Sequence, residues 1–484
     1  MTQNTSLTPF RIDIPQDAVD DLHDRLARTR WPLPVPGRGD GADFRRGTPL
    51  PYLKELAGYW RDGFDWRAQE ATLNLHEQFT TVVDGQTFHV LHARSANPQA
   101  TPLLLSDSWP ASFVEYQRLI PLLTDEFHVV IPSLPGLGFS HPLSGIGWDL
   151  ARTADAYGEI MTRFGHERFA AHGSDVGSGI VGRLAAVHPD RVIGTHFASD
   201  RVWLGLVGDK FPAPDGLSDE ELAQLETARA ASATERGYIG MHNHRPDTIG
   251  PALTDSPVAQ LAWIVEKFKR RNDEGFRAPE VDRDQLLTNV SLYWFTRSGA
   301  SVAQFFYESE HAELDFFLPS GVPAGWAVFD THPLIRRTMD PTGAIRHWSD
   351  FTGGSFPGDG GAGASRRGHP AVLPGSRLIG AGRPAHRSDR DRTDRCVRAP
   401  TVLHPRIAVD DGEARTHEQR RHPGHRPVVR RRDGVREGLA VRPVEEPDQQ
   451  VSTLAGRAPS GREESGKLLR TRVDQRVPGE HSAE

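Results

Sequence analysis

The chain has 484 residues, enough for about two or three domains, with 57 Lys and Arg against 64 Asp and Glu. The resulting net charge of −7 argues against a nucleic-acid binder. No run approaches the roughly 18 apolar residues of a membrane span, and the lone Cys396 excludes an internal disulfide framework and a multi-cysteine metal site. Met1-Thr2-Gln3-Asn4-Thr5 has neither a basic nor an apolar signal region, so a cytoplasmic location is expected.

Along the chain, Val19, Leu22 and Leu26 recur at helical spacing over residues 17–29, and Trp31-Pro32 breaks the pattern. Residues 32–50 are rich in Pro and Gly and read as a loop, and 51–61 as a short helix. Phe79 to Val83, Asp84-Gly85 and Thr87 to Ala93 read as a hairpin with a type I′ turn. Thr101 to Ser106 is a buried strand, Phe113 to Leu123 a helix and Phe127 to Ile131 another strand. Phe169-Ala170-Ala171-His172 has strand length, and Ile180, Val181, Leu184 and Ala185 follow at helical spacing. Val192 to Phe197 is a further strand. Residues 201–311 are largely helical in pattern, with Leu261, Ile264, Val265 and Phe268 on one face. Alternating strands and helices predict an α/β protein with a mostly parallel, doubly wound sheet, and the 201–311 stretch an inserted helical cap.

Between the 169–172 strand and its helix stands Gly173-Ser174-Asp175-Val176-Gly177. At a tight strand-to-helix turn a non-Gly residue takes an unfavourable backbone conformation, and small neighbours relieve the crowding. A helix N-terminus also favours an anion, which keeps Asp175 ionised. The bland alternative is an Asp N-cap between two turn glycines. Gly-x-Asp-x-Gly resembles the nucleophile elbow of α/β-hydrolases, with Asp in place of Ser. An Asp elbow attacks an sp³ carbon and makes an alkyl ester.

The resemblance extends from Pro9 to about Phe356. Phe10-Arg11-Ile12 through Trp31-Pro32, and Tyr52-Leu53-Lys54-Glu55-Leu56 through Trp66-Arg67, are similar to the N-terminal domain of epoxide hydrolases of the microsomal and juvenile-hormone type. Ser133-Leu134-Pro135-Gly136-Leu137-Gly138-Phe139-Ser140 resembles that family's core loop. Arg245-Pro246-Asp247-Thr248-Ile249-Gly250 through Trp263 and Lys267, and Leu286-Leu287-Thr288-Asn289 through Tyr293-Trp294, resemble its cap. The resemblance implies an α/β-hydrolase fold with an N-terminal wrapping segment, divided as 1–97, core 98–200, cap 201–311, core 312–356 and a disordered tail 357–484. It implies Asp175 as nucleophile, Tyr238 and Tyr307 as proton donors, and Trp109 and Val176 as backbone donors to the ester oxyanion. Asp330 is taken as the acid that orients a catalytic His, although His332 stands nearer the family's usual spacing. The implied partners are a small-molecule epoxide and water, with no cofactor, metal, nucleic acid or membrane. Oligomeric state stays open, a homodimer included.

Two departures stand out. The family's His-Gly-Trp-Pro-Gly loop reads Asp107-Ser108-Trp109-Pro110-Ala111 here. An anion at Asp107 would raise the nucleophile's pKa, and the Cβ atoms of Ser108 and Ala111 are expected to distort the loop. The family's Gly-Gly-His-Phe reads Gly353-Gly354-Ser355-Phe356, so Ser355 occupies the position of the base and has no basic nitrogen.

All 39 aromatic residues lie at or before Phe356. Residues 357–484 hold 24 Arg and one Lys against 18 acidic residues, a charge of +7 that leaves −14 for residues 1–356. Such a segment cannot bury enough apolar surface to offset ordering entropy. Residues 358–364 and 368–374 can be encoded so that reading one base later gives Ala-Met-Glu-Ala-Pro-Glu and Asp-Ile-Arg-Arg-Phe-Phe, which resemble the family's ending. The expectation is a frame shift near Ser355, checked by the DNA around that codon. Arg430-Arg431-Arg432 reads as a solvated charge run, His242 and His244 as a surface pair, and neither His369 nor His404 as a replacement base. Besides an epoxide hydrolase, a haloalkane-dehalogenase-like enzyme and a catalytically dead binding protein fit the scaffold. The two tyrosines favour an epoxide over a halide, which is held by Trp or Asn donors.

Overall fold

The computed structural model describes residues 6–351 apart from 34, 37–43, 45, 209, 270–281, 314–318 and 330–331. Asp330, Ser355, Cys396 and the whole 357–484 segment therefore lie outside the described residues, as do His369, His404 and Arg430–Arg432.

The chain opens with β1 (Thr8–Phe10), α1 (Gln16–Ala27), α2 (Leu50–Asp62) and α3 (Trp66–Leu73), then the hairpin β2 (Glu77–Val83) and β3 (Gln86–Ala93). Asp84 and Gly85 both have positive φ, as the type I′ turn requires. The core continues with β4 (Thr101–Ser106), α4 (Ile120–Leu123), β5 (Phe127–Pro132), α5 (Leu150–Arg163), β6 (Phe169–Ser174), α6 (Val176–Val187) and β7 (Val192–Asp200). Six helices follow: α7 (Asp219–Glu235), α8 (Gly237–His244), α9 (Pro246–Asp255), α10 (Pro257–Lys269), α11 (Arg283–Phe295) and α12 (Ser298–His311). The chain then returns to the sheet through β8 (Ala324–Phe329), α13 (Pro333–Met339) and β9 (His347–Phe351).

The predicted helix over Phe113–Leu123 is instead a 3-10 turn, Phe113–Tyr116, followed by the single turn of α4. Pro121 lacks an N–H and its ring crowds the preceding turn, which favours a helix that starts beside it over one that runs through it.

One nine-stranded sheet runs β1-β2-β3-β5-β4-β6-β7-β8-β9. The first four are joined antiparallel, and β5 to β9 pair in parallel. The inserted helices stand between parallel neighbours β7 and β8, as expected of a cap. The chain moves from β4 to β5 on one side of it and then to β6 on the other. That reversal opens a crevice at the carboxyl ends of β4 and β6, where ligands bind in open α/β sheets.

The N-terminal segment packs on the cap as well as on the sheet. Val19, Leu22 and Leu26 bury the face of α1 that the spacing predicted. Across to the cap, Trp60 Nε1 donates to Ser291 Oγ at 2.9 Å and Tyr59 OH to Asp284 Oδ1 at 2.7 Å. Arg25 Nη1 meets Asp255 Oδ1 at 3.0 Å. Leu261, Ile264 and Val265 are fully buried, which confirms the face assigned to α10. Among the described residues no helix is long and apolar enough to cross a membrane.

Candidate active site

Asp175 links β6 to α6 with φ 49° and ψ −124°. A left-handed conformation at a non-Gly residue costs on the order of 1–3 kcal/mol and persists only where its surroundings enforce it. Its neighbours show how. A Cβ on Gly173 would stand 2.2 Å from the Gly177 carbonyl oxygen, and one on Gly177 would stand 2.5 Å from that of Ser106. The glycines let the first turn of α6 lie against the ends of β4 and β6. Asp175 stands at the N-cap position of α6, yet its side chain does not cap the helix, so the simple capping alternative fails.

Instead the carboxylate faces the loop after β4, where the Trp109 N–H donates to Asp175 Oδ1 at 3.4 Å. Val176 opens α6, so its N–H has no carbonyl one turn back within the helix. The Trp109 N–H thus reaches the carboxylate from the loop after β4, and Val176 opens the helix beside it.

Side chains from other segments pin the loop. Glu115 Oε1 accepts from the Ser108 N–H at 3.0 Å, and Ser108 Oγ donates to the same carboxylate. Asn289 Nδ2 donates to the Pro110 carbonyl at 2.7 Å, and Tyr293 OH to that of Ala111 at 2.8 Å. Ala111 is buried, so its methyl group is packed rather than crowded. The Trp109–Pro110 peptide is cis.

Asp107 bears on the other expectation. It is fully buried, and neither carboxyl oxygen makes a hydrogen bond. Burial pushes its pKa well above the usual carboxylate range. Burial thus works against a full negative charge beside Asp175.

Of the two tyrosines, Tyr238 reaches the elbow's neighbours. It stands on α8, and its ring stacks on Trp109 with centroids 4.7 Å apart and planes 14° apart. Lys267 Nζ of α10 lies over the Tyr238 ring, 4.3 Å from its centroid. Tyr307, on α12, packs its ring on His311 at 4.1 Å. The preceding residue, Phe306, meets the Trp109 ring edge-on at 5.8 Å.

His242, read from the sequence as half of a surface pair, is fully buried in this cluster, while His244 is exposed. Its ring stands edge-on to Trp109 at 4.8 Å, and its Nε2 accepts from Trp263 Nε1 at 3.0 Å. Burial, reinforced by Lys267, lowers its pKa to about 3, so the ring is neutral. With Nε2 accepting, the proton sits on Nδ1, which has no partner. This histidine is spent as an acceptor and has no free lone pair for base chemistry. The helical period of α8 puts residues 238 and 242 on one face, and that spacing was the signal for it.

The acid–base end is described only in part. His332 caps α13, its Nδ1 accepting from the Leu334 N–H at 3.2 Å. Asp200, at the end of β7, pairs in register with Phe329, next to the Asp330 position. Among the described residues no cluster of His, Cys, Asp or Glu could hold a metal ion.

An α/β-hydrolase with an acidic elbow and a helical cap is defined by these features. Residues 7–116 match the family model "Epoxide hydrolase N terminus", and residues 101–200 match "alpha/beta hydrolase fold". A Stigmatella aurantiaca relative is 42% identical over 314 residues, spanning 63% of this chain and 69% of that protein. Epoxide hydrolase 1 of Sus scrofa is 32% identical over 366 residues, spanning 69% and 80%. The crystal structure of juvenile hormone epoxide hydrolase from the silkworm Bombyx mori superposes with a TM-score of 0.62 at 26% identity, covering 73% of this chain and 90% of that one. The chain belongs to the epoxide hydrolase family, hydrolases acting on ether bonds.

Proposed function

We propose that the chain opens an epoxide by attack of Asp175 on a ring carbon, with Tyr238 and Tyr307 supplying the proton to the ring oxygen. The carbon–oxygen bond breaks as the Asp175 ester forms, and the oxygen leaves as a hydroxyl. A strained ring carbon is a modest electrophile and an alkoxide a poor leaving group. A positioned anion on one side and a proton donor on the other answer both needs. The observation that carries this reading is Trp109, whose N–H meets Asp175 while its indole stacks on Tyr238.

Release of the vicinal diol requires water to attack the ester carbonyl, with Trp109 and Val176 N–H groups holding the oxyanion. That step needs a base oriented by an acid, for which Asp330 is the proposed partner. Ser355 stands where the base belongs and cannot take the proton from water. The chain is therefore proposed to alkylate itself and to hydrolyse the ester slowly or not at all. A frame shift near Ser355 is the proposed origin of this gap.

Incubation with styrene oxide followed by intact-protein mass spectrometry tests the reading. The expected result is a gain of one epoxide mass on Asp175 with little diol. Neither adduct nor diol would favour a binding protein on this scaffold, and rapid diol formation would place a base elsewhere in the chain.

A further inference from the structure

The phenol of Tyr238 is clamped on both faces. Trp109 covers one at 4.7 Å, and the Lys267 ammonium stands over the ring at 4.3 Å, which leaves it the opposite face. Lys267 is mostly buried, its side chain 12% exposed, and its Nζ is tied to Glu266 Oε1 at 2.9 Å. We propose that Lys267 is a positioning residue that sets the acidity of Tyr238 and so makes this phenol the donor to the opening epoxide oxygen.

The reasoning is electrostatic. A cation over an aromatic face is attracted by the ring's negative quadrupole. It is attracted far more strongly once the ring carries the phenolate charge, because that charge is shared into the π system. Burial reduces screening by solvent. The ammonium therefore stabilises the product of proton transfer more than the reactant, which lowers the barrier to ring opening.

Several other charged and titratable groups near the ring have partners of their own. His242, on the same helix, stands edge-on at 6.0 Å and is held neutral. Glu266 is paired with Lys267 itself. On α12, Glu310 is taken up by Asn243 and Lys210. On α9, Asp247 is held by Gln304, and Glu235 and Arg236, where α7 meets α8, carry interactions of their own. Across the stacked indole, Asp175 is the nucleophile whose charge is discharged as the ester forms.

The proton balance is closed. Asp175 forms the new carbon–oxygen bond, the ring carbon–oxygen bond breaks, and its electron pair takes the Tyr238 proton. The phenolate left behind faces the ammonium until solvent reprotonates it.

This inference rests on Tyr238 as a donor, and two measurements on the full chain keep the claims apart. The first is ultraviolet titration of Tyr238, read as the difference between the parent and Tyr238→Phe. The second is the single-turnover rate of adduct formation with styrene oxide across pH. In Lys267→Met the phenol should titrate about one pH unit higher, and alkylation at neutral pH should slow about tenfold. Lys267→Arg, which keeps a cation over the ring, should recover most of both. An unmoved titration with an unchanged rate overturns the inference. So does an equal loss in Lys267→Arg and Lys267→Met, which marks a packing role. If the parent takes up no epoxide at all, the proposed function fails, and the titration still reports on Lys267.

Discussion

The proposed ring-opening side of the site and its proposed ester-cleaving side come from different stretches of the chain. The first is assembled from the ends of β4 and β6 and from α8, and each part is fixed by packing. Glu115, Asn289 and Tyr293 hold the Trp109 loop, Gly173 and Gly177 admit the strained elbow, and Lys267 and Trp109 clamp Tyr238. The second is proposed to depend on residues after β8 and β9, where Gly353-Gly354-Ser355-Phe356 carries no histidine. Attack on carbon needs an anion and a proton donor, whereas ester hydrolysis needs a base as well. The two steps are chemically separable, so a chain can keep the first and lose the second.

The largest effects come from removing either requirement outright. Asp175→Asn should abolish the epoxide adduct seen by mass spectrometry, since an amide is not a nucleophile here. An adduct that persists on that variant breaks the comparison at its root. Ser355→His should raise the decay of the ester by about 10²–10⁴-fold if a base is the only missing part, measured as diol release. No gain would show that the loop around residue 355 lacks more than its base. On the ring-opening side, the double variant Tyr238→Phe, Tyr307→Phe should slow alkylation by at least about 10²-fold. The single changes should cost less, because one donor remains. Gly177→Ala would place a methyl 2.5 Å from the Ser106 carbonyl oxygen. Overpacking of that kind costs about 1–3 kcal/mol, read as a lower denaturation midpoint.

Much of this was legible in the sequence because its signals were local. The elbow follows from glycines two residues either side of Asp175, the hairpin from Asp84-Gly85, and the cap from a long helical stretch interrupting the strand alternation. Pro121 was equally visible, and weighing it would have broken the helix expected over Phe113–Leu123. What could not be read were contacts between distant segments. Nothing near Ser108 announces Glu115 as its partner, and nothing near His242 shows that it faces Trp109. The upward push on the Asp107 carboxyl is a further case. Its titration is set by burial, which is a property of the fold and not of the pentapeptide.

Asp107 yields the effect whose sign is most diagnostic. Its folded pKa lies above the unfolded value of about 3.9. Below that pH both states are protonated and the stability is fully present. As pH rises past it, the unfolded chain releases the proton while the folded chain keeps it. Stability then falls by about 1.4 kcal/mol per unit until the folded carboxyl titrates. Asp107→Asn, close in shape and unable to ionise, should be more stable than the parent at neutral pH, with the gap closing toward pH 4. The buried histidines run the other way. His172, hydrogen-bonded to His196 at 2.9 Å, has its pKa lowered to about 4 by burial, and that of His196 also falls. Their contribution is present above the unfolded histidine value of about 6.5 and is lost as pH falls through the folded one. Both proteins share these histidines, so the difference between their urea-unfolding free energies across pH cancels them and isolates Asp107. A difference that does not change with pH would mean that Asp107 is already ionised in the folded chain. The loop beside Asp175 would then carry the negative charge that its burial argues against.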